Sequence, residues 1–157
     1  MEAKDIISKL NTALKSEVEA ILVYTNTHSV CECPHLKLLA IETSFDEMRH
    51  AKMLSELISD MDGKPALTSP NTRLVYDDDE EQLEHIEDLE EEAVKLYEEL
   101  IAEIDDEEIV SQLKKILADE KEHLKDIDEL EEEWAEDEDD DDEEDDDKEE
   151  DDKKEDD

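Results

Sequence analysis

Residues 43–54 read TSFDEMRHAKML, and residues 116–127 read ILADEKEHLKDI. Each stretch contains a Glu-x-x-His motif, formed by Glu47 and His50 in the first and by Glu120 and His123 in the second. Residues three apart on a helix share one face, so each motif places a carboxylate beside an imidazole. Both pairs of equivalent residues are separated by 73 positions, which indicates an internal repeat.

The repeat includes residues outside the two motifs. Glu17 and Glu90 are also 73 positions apart, and so are Tyr24 and Tyr97. The chain is therefore predicted to consist of two related helical hairpins. Each hairpin contributes one isolated glutamate and one Glu-x-x-His motif.

Four segments carry apolar residues at the spacing of amphipathic helices. Their apolar positions are Leu10, Ala13, Leu14, Ala20, Ile21 and Tyr24; Leu36, Leu39, Leu54, Leu57 and Met61; Leu83, Ile86, Ala93, Leu96, Leu100 and Ile104; and Ile109, Leu113, Ile116, Ile127, Leu130 and Trp134. We expect Pro34 to open the second helix, and Gly63, as a glycine just past its end, to stop it together with Pro65. Asp105 and Asp106 are expected to cap the fourth helix.

A long connection separates the two hairpins. Residues 64–78 contain Pro65, Pro70 and Asn71 and lack a helical period. Fifteen extended residues reach about 50 Å at most, which is enough to cross the length of a ~25-residue helix. The pattern predicts an all-α four-helix bundle with one long crossover connection.

The apolar stripes are interrupted by ionisable residues, namely Glu17, Glu47, His50, Glu90, Glu120 and His123. Buried carboxylates without partners are costly and are driven to protonate. Two divalent cations remove this cost, because carboxylates and imidazoles suit hard and borderline metals. The midpoint of Glu17 and Glu47 is residue 32 and that of Glu90 and Glu120 is residue 105, both at predicted turns. The six side chains are therefore expected to meet at mid-height of the bundle.

Negative charge is concentrated at the C-terminal end. The 157 residues include 16 Lys and Arg and 57 Asp and Glu, a formal net charge of −41. Residues 135–157 hold 19 of these acids with three lysines and one alanine, a net charge of −16. Such a segment cannot bury enough apolar surface to fold. We predict a bundle domain over residues 1–134 and a disordered, acidic, low-complexity tail over residues 135–157.

The composition excludes several classes of protein. The chain lacks the clustered Lys and Arg that bind nucleic-acid phosphates, a signal-peptide pattern and a stretch of ~18 apolar residues that would span a membrane. One glycine and three prolines argue against an all-β fold. Two cysteines make no disulfide scaffold, so a reducing, cytoplasmic location is expected.

The motifs resemble those of the ferritin-like di-iron proteins, and of bacterioferritin in particular. The resemblance covers residues 5 to about 134 and rests on Glu17 with Tyr24, Asp46-Glu47-Met48-Arg49-His50-Ala51, Glu90 with Tyr97, and Asp119-Glu120-x-x-His123. It implies a ferritin-like bundle with two Fe ions, bridged by Glu47 and Glu120 and completed by Glu17 with His50 and by Glu90 with His123. The implied function is a ferroxidase that oxidises Fe(II) with O2 or H2O2 for iron storage or detoxification.

Two other functions fit part of the sequence. A rubrerythrin-like peroxide reductase uses the same bundle, but typical members add C-x-x-C pairs and carry a further glutamate where this chain has Ala93. A non-enzymatic acidic protein that binds basic partners would account for the tail but not for the six polar residues on apolar stripes. The same ligands would also accept manganese.

The resemblance also bears on cofactors and assembly. Met48 occupies the position at which bacterioferritins ligate haem between subunits, and a methionine that packs at an interface is the alternative. Bacterioferritins continue into a fifth helix, whereas here the acidic segment follows Trp134. We therefore expect a homodimer as the minimal unit, with larger closed assemblies when salt or divalent metal screens the charge.

Five residues near the motifs have more than one interpretation. Cys31 and Cys33 form either an incidental part of a turn or a second metal or redox site. Tyr24 and Tyr97 are expected to be core tyrosines that hydrogen-bond a carboxylate, with a radical role as the alternative. Asp46 lies beside the site and is a candidate iron-entry or inner-surface ligand.

Overall fold

The computed structural model describes residues 1–68 and 71–144, with side chains as far as residue 137. These residues form four α-helices and no strand: α1 (Ala3–Val30), α2 (Pro34–Asp60), α3 (Asp79–Glu103) and α4 (Glu107–Glu144). Helix α1 packs along α2 and α3 along α4, and the hairpins meet through α1 with α3 and α2 with α4. The predicted all-α bundle with one long crossover is confirmed. Within the described ranges, no helix is long and apolar enough to cross a membrane.

The turn between α1 and α2 is held by the first residue of α3. Pro34 occupies the first position of α2, as predicted, where its missing N–H leaves no hydrogen bond unmade. The carboxylate of Asp79 accepts hydrogen bonds from the backbone N–H of Glu32 at 2.9 Å and of Cys33 at 2.7 Å. This contact joins the turn of the first hairpin to the start of the second.

Helix α2 ends in a different way from the one that the sequence suggested. Asp62, not Gly63, adopts the left-handed conformation, with a φ of 58°. The N–H of Asp62 donates to the carbonyl of Ser59 at 3.0 Å, and the N–H of Gly63 donates to that of Ile58 at 2.9 Å. These are the two bonds of a Schellman motif. Glycine is needed at position 63 for space, because a Cβ there would lie 2.9 Å from both Cγ2 and the carbonyl oxygen of Ile58.

The crossover between α2 and α3 is tied to α1 by two asparagines. Asn11 donates to the carbonyl of Lys64 at 3.2 Å and accepts from the N–H of Ala66 at 2.7 Å. About four turns further along α1, Asn26 donates to the carbonyl of Leu74 at 2.9 Å. The connection is therefore held against α1 at two separate points.

The second hairpin has conventional N-caps. Asp78 caps α3 by accepting from the N–H of Glu81 at 2.9 Å. Asp106, rather than Asp105, caps α4, and its side chain accepts from the N–H groups of Glu108 and Ile109, each at 3.0 Å. These bonds satisfy backbone donors that a helix N-terminus leaves free.

Two apolar clusters fill the bundle on either side of a polar layer. One includes Ile6, Leu10, Ala13, Leu14, Ala51, Leu54, Ile58, Tyr97, Leu100, Ile104, Ile109, Leu113 and Ile116; the other includes Val23, Tyr24, Cys31, Leu36, Ala40, Leu83, Ile86, Ile127 and Leu130. The predicted stripes are largely the buried ones, although Leu57 and Leu96 are only partly buried and Ile58, which was not predicted, is fully buried.

Helix α4 continues beyond the expected boundary at Trp134. It extends to Glu144, and the side chains of residues 135–137 are exposed. Extending a helix that is already formed adds hydrogen bonds without a new nucleation cost, so acidic residues can prolong it without packing. The part of the predicted tail at residues 145–157 lies outside the described residues.

Candidate metal centre

The six residues predicted as metal ligands meet between the two apolar clusters. One comes from α1, two from α2, one from α3 and two from α4, and each is almost fully buried: Glu17 at 3% exposure, Glu47 at 1%, His50 at 0%, Glu90 at 2%, Glu120 at 1% and His123 at 4%. Four carboxylates and two imidazoles thus share one layer that is almost closed to solvent. Carboxylates are rarely buried in this way without a counter-charge.

Their donor atoms form two adjacent groups. Glu17, Glu47, His50 and Glu120 each offer one atom within 4.8 Å of the others, and so do Glu47, Glu90, Glu120 and His123. Glu47 and Glu120 belong to both groups. The two groups therefore offer donor atoms for two neighbouring cations, with two carboxylates common to both groups.

Each histidine turns its Nδ1 atom towards the carboxylates. His50 Nδ1 lies 3.0 Å from Glu120, 3.3 Å from Glu47 and 3.6 Å from Glu17. His123 Nδ1 lies 3.2 Å from both Glu47 and Glu120 and 3.4 Å from Glu90. The two imidazoles occupy equivalent positions, and their ring centroids are 6.1 Å apart.

Three buried carboxylate oxygens at the centre have no hydrogen-bond partner: Oε1 of Glu47, Oε2 of Glu90 and Oε1 of Glu120. Each lies within ion-pair distance of a histidine, but the angles do not make a hydrogen bond. A buried acceptor without a partner is costly, and a divalent cation would satisfy all three. The residues present therefore fit a pair of oxygen- and nitrogen-ligated metal ions.

Proton affinities in this layer are strongly perturbed. Burial raises the pKa of Glu17 well above its usual value, and burial raises that of Glu90 to about 8, against the opposing effect of His123. Burial would also raise the pKa of Glu47, but the close imidazoles of His123 and His50 outweigh it and lower the value. For both histidines, burial is outweighed by the surrounding carboxylates, so their pKa values rise. Without metal, the site holds protons in place of cations.

Two buried tyrosines orient the unshared glutamates, each from the opposite hairpin. Tyr24 on α1 donates its hydroxyl proton to Glu90 on α3, and Tyr97 on α3 donates to Glu17 on α1. Both rings are fully buried, and burial raises the pKa of both hydroxyls. The prediction that these tyrosines hydrogen-bond a carboxylate is confirmed.

Two aspartates hold the outer sides of the histidines. His50 Nε2 lies 2.9 Å from Asp119, and His123 Nε2 lies 3.1 Å from Asp46. A carboxylate at Nε2 accepts its proton and leaves Nδ1 as the atom that faces a metal. The sequence predicts Asp46 as a candidate iron-entry or inner-surface ligand, whereas Asp119 is a residue of the centre that sequence reasoning missed. The signal was available, because the two aspartates are also 73 positions apart.

The remaining predicted residues lie away from this layer. Met48 is 43% exposed on the outer face of α2. Cys31 is buried and Cys33 half-buried, both as free thiols. The nearby histidines contact other groups, since Nδ1 of His28 lies 3.0 Å from the carbonyl of Lys37 and that of His35 pairs with a glutamate. Among the described residues, the cysteines belong to no metal-ligand group.

A family model for ferritin-like domains matches residues 7–137. This range extends from the first turns of α1 to residue 137 in α4 and includes every residue of the candidate centre. A search of curated proteins gives no significant match.

Solved structures give two informative likenesses. A ferritin-like, diiron-carboxylate protein from Bacillus anthracis str. Ames is 28% identical, with a TM-score of 0.75 over 83% of this chain and 99% of that one. The dodecameric thioferritin from Bacteroides fragilis, a bacterioferritin-related protein, is 23% identical, with a TM-score of 0.79 over 86% of this chain and 89% of that one. At its level of identity, the second likeness concerns the fold alone.

Proposed function

The chain belongs to the ferritin-like domain family, and on this premise we propose that it is a di-iron ferroxidase of the bacterioferritin and ferritin type. It would oxidise Fe(II) with O2 or H2O2 for iron storage or detoxification. The observation that carries the proposal is the buried layer of four glutamates and two histidines, in which three carboxylate oxygens have no hydrogen-bond partner. The likeness to a diiron-carboxylate protein supports the choice of iron.

In this proposal the two donor groups hold one iron ion each. Glu47 and Glu120 bind both ions, and the unshared ligands are Glu17 with His50 and Glu90 with His123. Bound iron supplies the electron transfer to the oxidant. The protein provides the negative charge that neutralises the ions and the apolar clusters that keep water out of the layer.

The contacts around the ligands describe how the chain prepares the site. Tyr24 and Tyr97 restrain the unshared glutamates, and Asp46 and Asp119 restrain the histidines. Iron must displace the protons that the raised pKa values retain on the histidines and on part of the carboxylates. Loading is therefore expected to release protons and to tighten as the pH rises.

We propose a homo-oligomer whose minimal unit is a dimer formed through α2. The outer face of α2 exposes Leu38 by 56%, Phe45 by 60% and Met48 by 43%, at a spacing that places all three on one stripe. An exposed apolar stripe on a chain of net charge −41 is typical of a surface that binds another subunit. The dodecameric assembly of the Bacteroides fragilis protein is a precedent for the fold.

A haem ligand at Met48 and a cytoplasmic location also belong to the proposal. Met48 lies on this outward stripe, where a twofold axis would bring two copies together. Haem titration of wild type and of Met48→Leu would decide between a ligand and a packing residue. The two free thiols fit a reducing compartment.

The test is an anaerobic Fe(II) titration followed by addition of O2 or of H2O2. The wild-type chain should bind two Fe(II) and oxidise them faster than buffer does. Glu120→Gln removes a shared ligand, whereas Glu122→Gln makes the same change at an exposed position on the same helix. The first variant should lose the activity and the second should keep it. Oxidation by wild type no faster than in buffer would overturn the proposal.

A further inference from the structure

A single arginine connects the two outer aspartates of the centre. Arg49 on α2 donates from Nη1 to Asp46 at 2.8 Å and from Nη2 to Asp119 at 2.9 Å. These are the same carboxylates that contact Nε2 of His123 and Nε2 of His50. One guanidinium is thus linked, through one aspartate each, to both histidines of the buried layer.

This link breaks the internal repeat of the chain. The position equivalent to Arg49 in the second hairpin is Glu122, which is exposed and has Lys125 at 3.7 Å. The two histidines, the two aspartates and the four glutamates each have an equivalent at an offset of 73, but the cation that joins them has none. The first hairpin supplies it for both halves of the site.

We propose that Arg49 is a positioning residue of the metal centre, which holds Asp46 and Asp119 against His123 and His50 so that both Nδ1 atoms face the metal positions. This inference rests on the metal site of the proposed function. It assigns to one exposed side chain the orientation of two ligands that are themselves almost fully buried.

The electrostatic setting explains why a cation is needed there. The side chains of Asp46 and Asp119 are 35% and 38% exposed, close to four buried carboxylates in a strongly acidic protein. Without a counter-charge, mutual repulsion and hydration would draw both aspartates away from the histidines and into water. Asp119 lies between the two groups, with its carboxylate 2.9 Å from Nε2 of His50 and 2.9 Å from Nη2 of Arg49.

The shape of the side chain matters as well as its charge. A guanidinium presents separate N–H groups in a rigid plane, so it can bond two carboxylates at fixed positions at once. A lysine ammonium is a point charge on a flexible stem and does not hold that geometry. Exposed ion pairs contribute little to the free energy of folding. Arg49 is therefore expected to affect metal binding much more than stability.

The test compares Arg49→Gln, Arg49→Lys and a matched control, Lys121→Gln. Lys121 is an exposed cation next to the ligand Glu120 and pairs with Glu98 at 2.8 Å, away from both aspartates. Co(II) is titrated anaerobically and followed by its visible absorption, which reports ligand geometry. We expect Arg49→Gln to bind Co(II) roughly 10–100-fold more weakly with an altered spectrum, Arg49→Lys to be intermediate, and Lys121→Gln to match wild type.

A second readout uses the metal-free protein. The imidazole Nε2–H protons of His50 and His123 should give slowly exchanging NMR signals in wild type and in Lys121→Gln, and these should be lost in Arg49→Gln. Thermal unfolding should stay within a few degrees of wild type in all variants. Unchanged Co(II) affinity and unchanged Nε2–H signals in Arg49→Gln would overturn the inference. If wild type bound no Co(II), the proposed function would fail, and the metal-free NMR signals would still decide whether Arg49 positions the histidines.

Discussion

The two hairpins are nearly equivalent on their inner faces and different on their outer faces. Inside, each provides a glutamate, a tyrosine, an aspartate and a Glu-x-x-His motif in the same order. Outside, Leu38, Phe45 and Met48 of α2 are exposed apolar residues, and the positions 73 residues later are Ser111, Ala118 and Lys121. The inner residues of both hairpins contribute to one buried layer, so they match. The outer residues of each hairpin contact different surroundings, so they differ.

This difference separates two tasks within one repeated unit. The inner residues cannot diverge independently, because Tyr24 and Asp46 of the first hairpin contact Glu90 and His123 of the second. Leu38, Phe45 and Met48, in contrast, have no apolar equivalent of similar size in the second hairpin. We interpret the outer face of α2 as a surface that binds another subunit, and the outer face of α4 as a surface that stays exposed to solvent.

The largest expected effect tests the equivalence of the inner faces. Glu47→Gln and Glu120→Gln each remove a carboxylate common to both donor groups, so each should abolish binding at both positions and reduce Fe(II) oxidation to the rate in buffer. Glu17→Gln and Glu90→Gln remove an unshared ligand and should each leave one tight binding equivalent. Metal analysis after anaerobic loading measures this. Full two-site binding by Glu47→Gln would contradict the assignment of shared ligands.

The next effect tests the difference between the outer faces. Phe45→Glu should prevent dimer formation, because each dimer loses two buried aromatic side chains, roughly 3–6 kcal/mol in total, which weakens association by 100-fold or more. Ala118→Glu, the equivalent change on α4, should leave the dimer intact. Light scattering over a series of salt and Fe(II) concentrations is the measurement. A wild-type monomer under every condition would show that the interpretation of α2 is wrong. A complete closed assembly in low salt without metal would contradict the expectation that larger assemblies need the charge to be screened.

The smallest effect concerns the stability of the metal-free protein between pH 6 and 8. Burial raises the pKa of Glu90 to about 8 and raises that of Glu17, so the folded state binds more protons than the unfolded state. Stability should therefore fall as the pH rises through this window, by on the order of 2 kcal/mol. The pKa values of His50 and His123 are also raised in the folded state. Above the ordinary pKa of histidine, the folded state therefore retains protons that the unfolded state has lost, which also makes stability fall as the pH rises.

Urea unfolding of chelator-treated protein measures this slope, and variants in each hairpin separate its sources. Glu17→Gln and Glu90→Gln should both flatten it, and Glu122→Gln should not, because its carboxylate is exposed. Bound metal should reverse the trend, since ligands bind cations more tightly once their protons have left. A flat profile for the metal-free wild type would count against a protonated inner layer.

Much of the architecture follows from local patterns in the sequence. The helices, their order and the crossover follow from apolar periodicity and from the positions of proline and aspartate, because these features act over a few neighbouring residues. The interruptions of the apolar stripes, supported by the repeat distance of 73, predicted that six ionisable residues would be buried together, and they are: Glu17, Glu47, His50, Glu90, Glu120 and His123. The same local reasoning placed the left-handed residue at the end of α2 one position too late, at Gly63 instead of Asp62. Aspartate also tolerates that conformation, so the residue type alone does not distinguish the two positions.

The tertiary structure decided which of these residues meet. Tyr24 hydrogen-bonds Glu90 rather than a residue of its own hairpin, Asp46 contacts His123, and Asp119 contacts His50. Arg49 contacts Asp46 on its own helix and also Asp119, which lies 70 positions after Arg49 in the sequence. Such pairings depend on the rotation of each helix about its axis and on the offset between helices. Those quantities are set by the packing of all four apolar faces together, so no single segment of the sequence contains them.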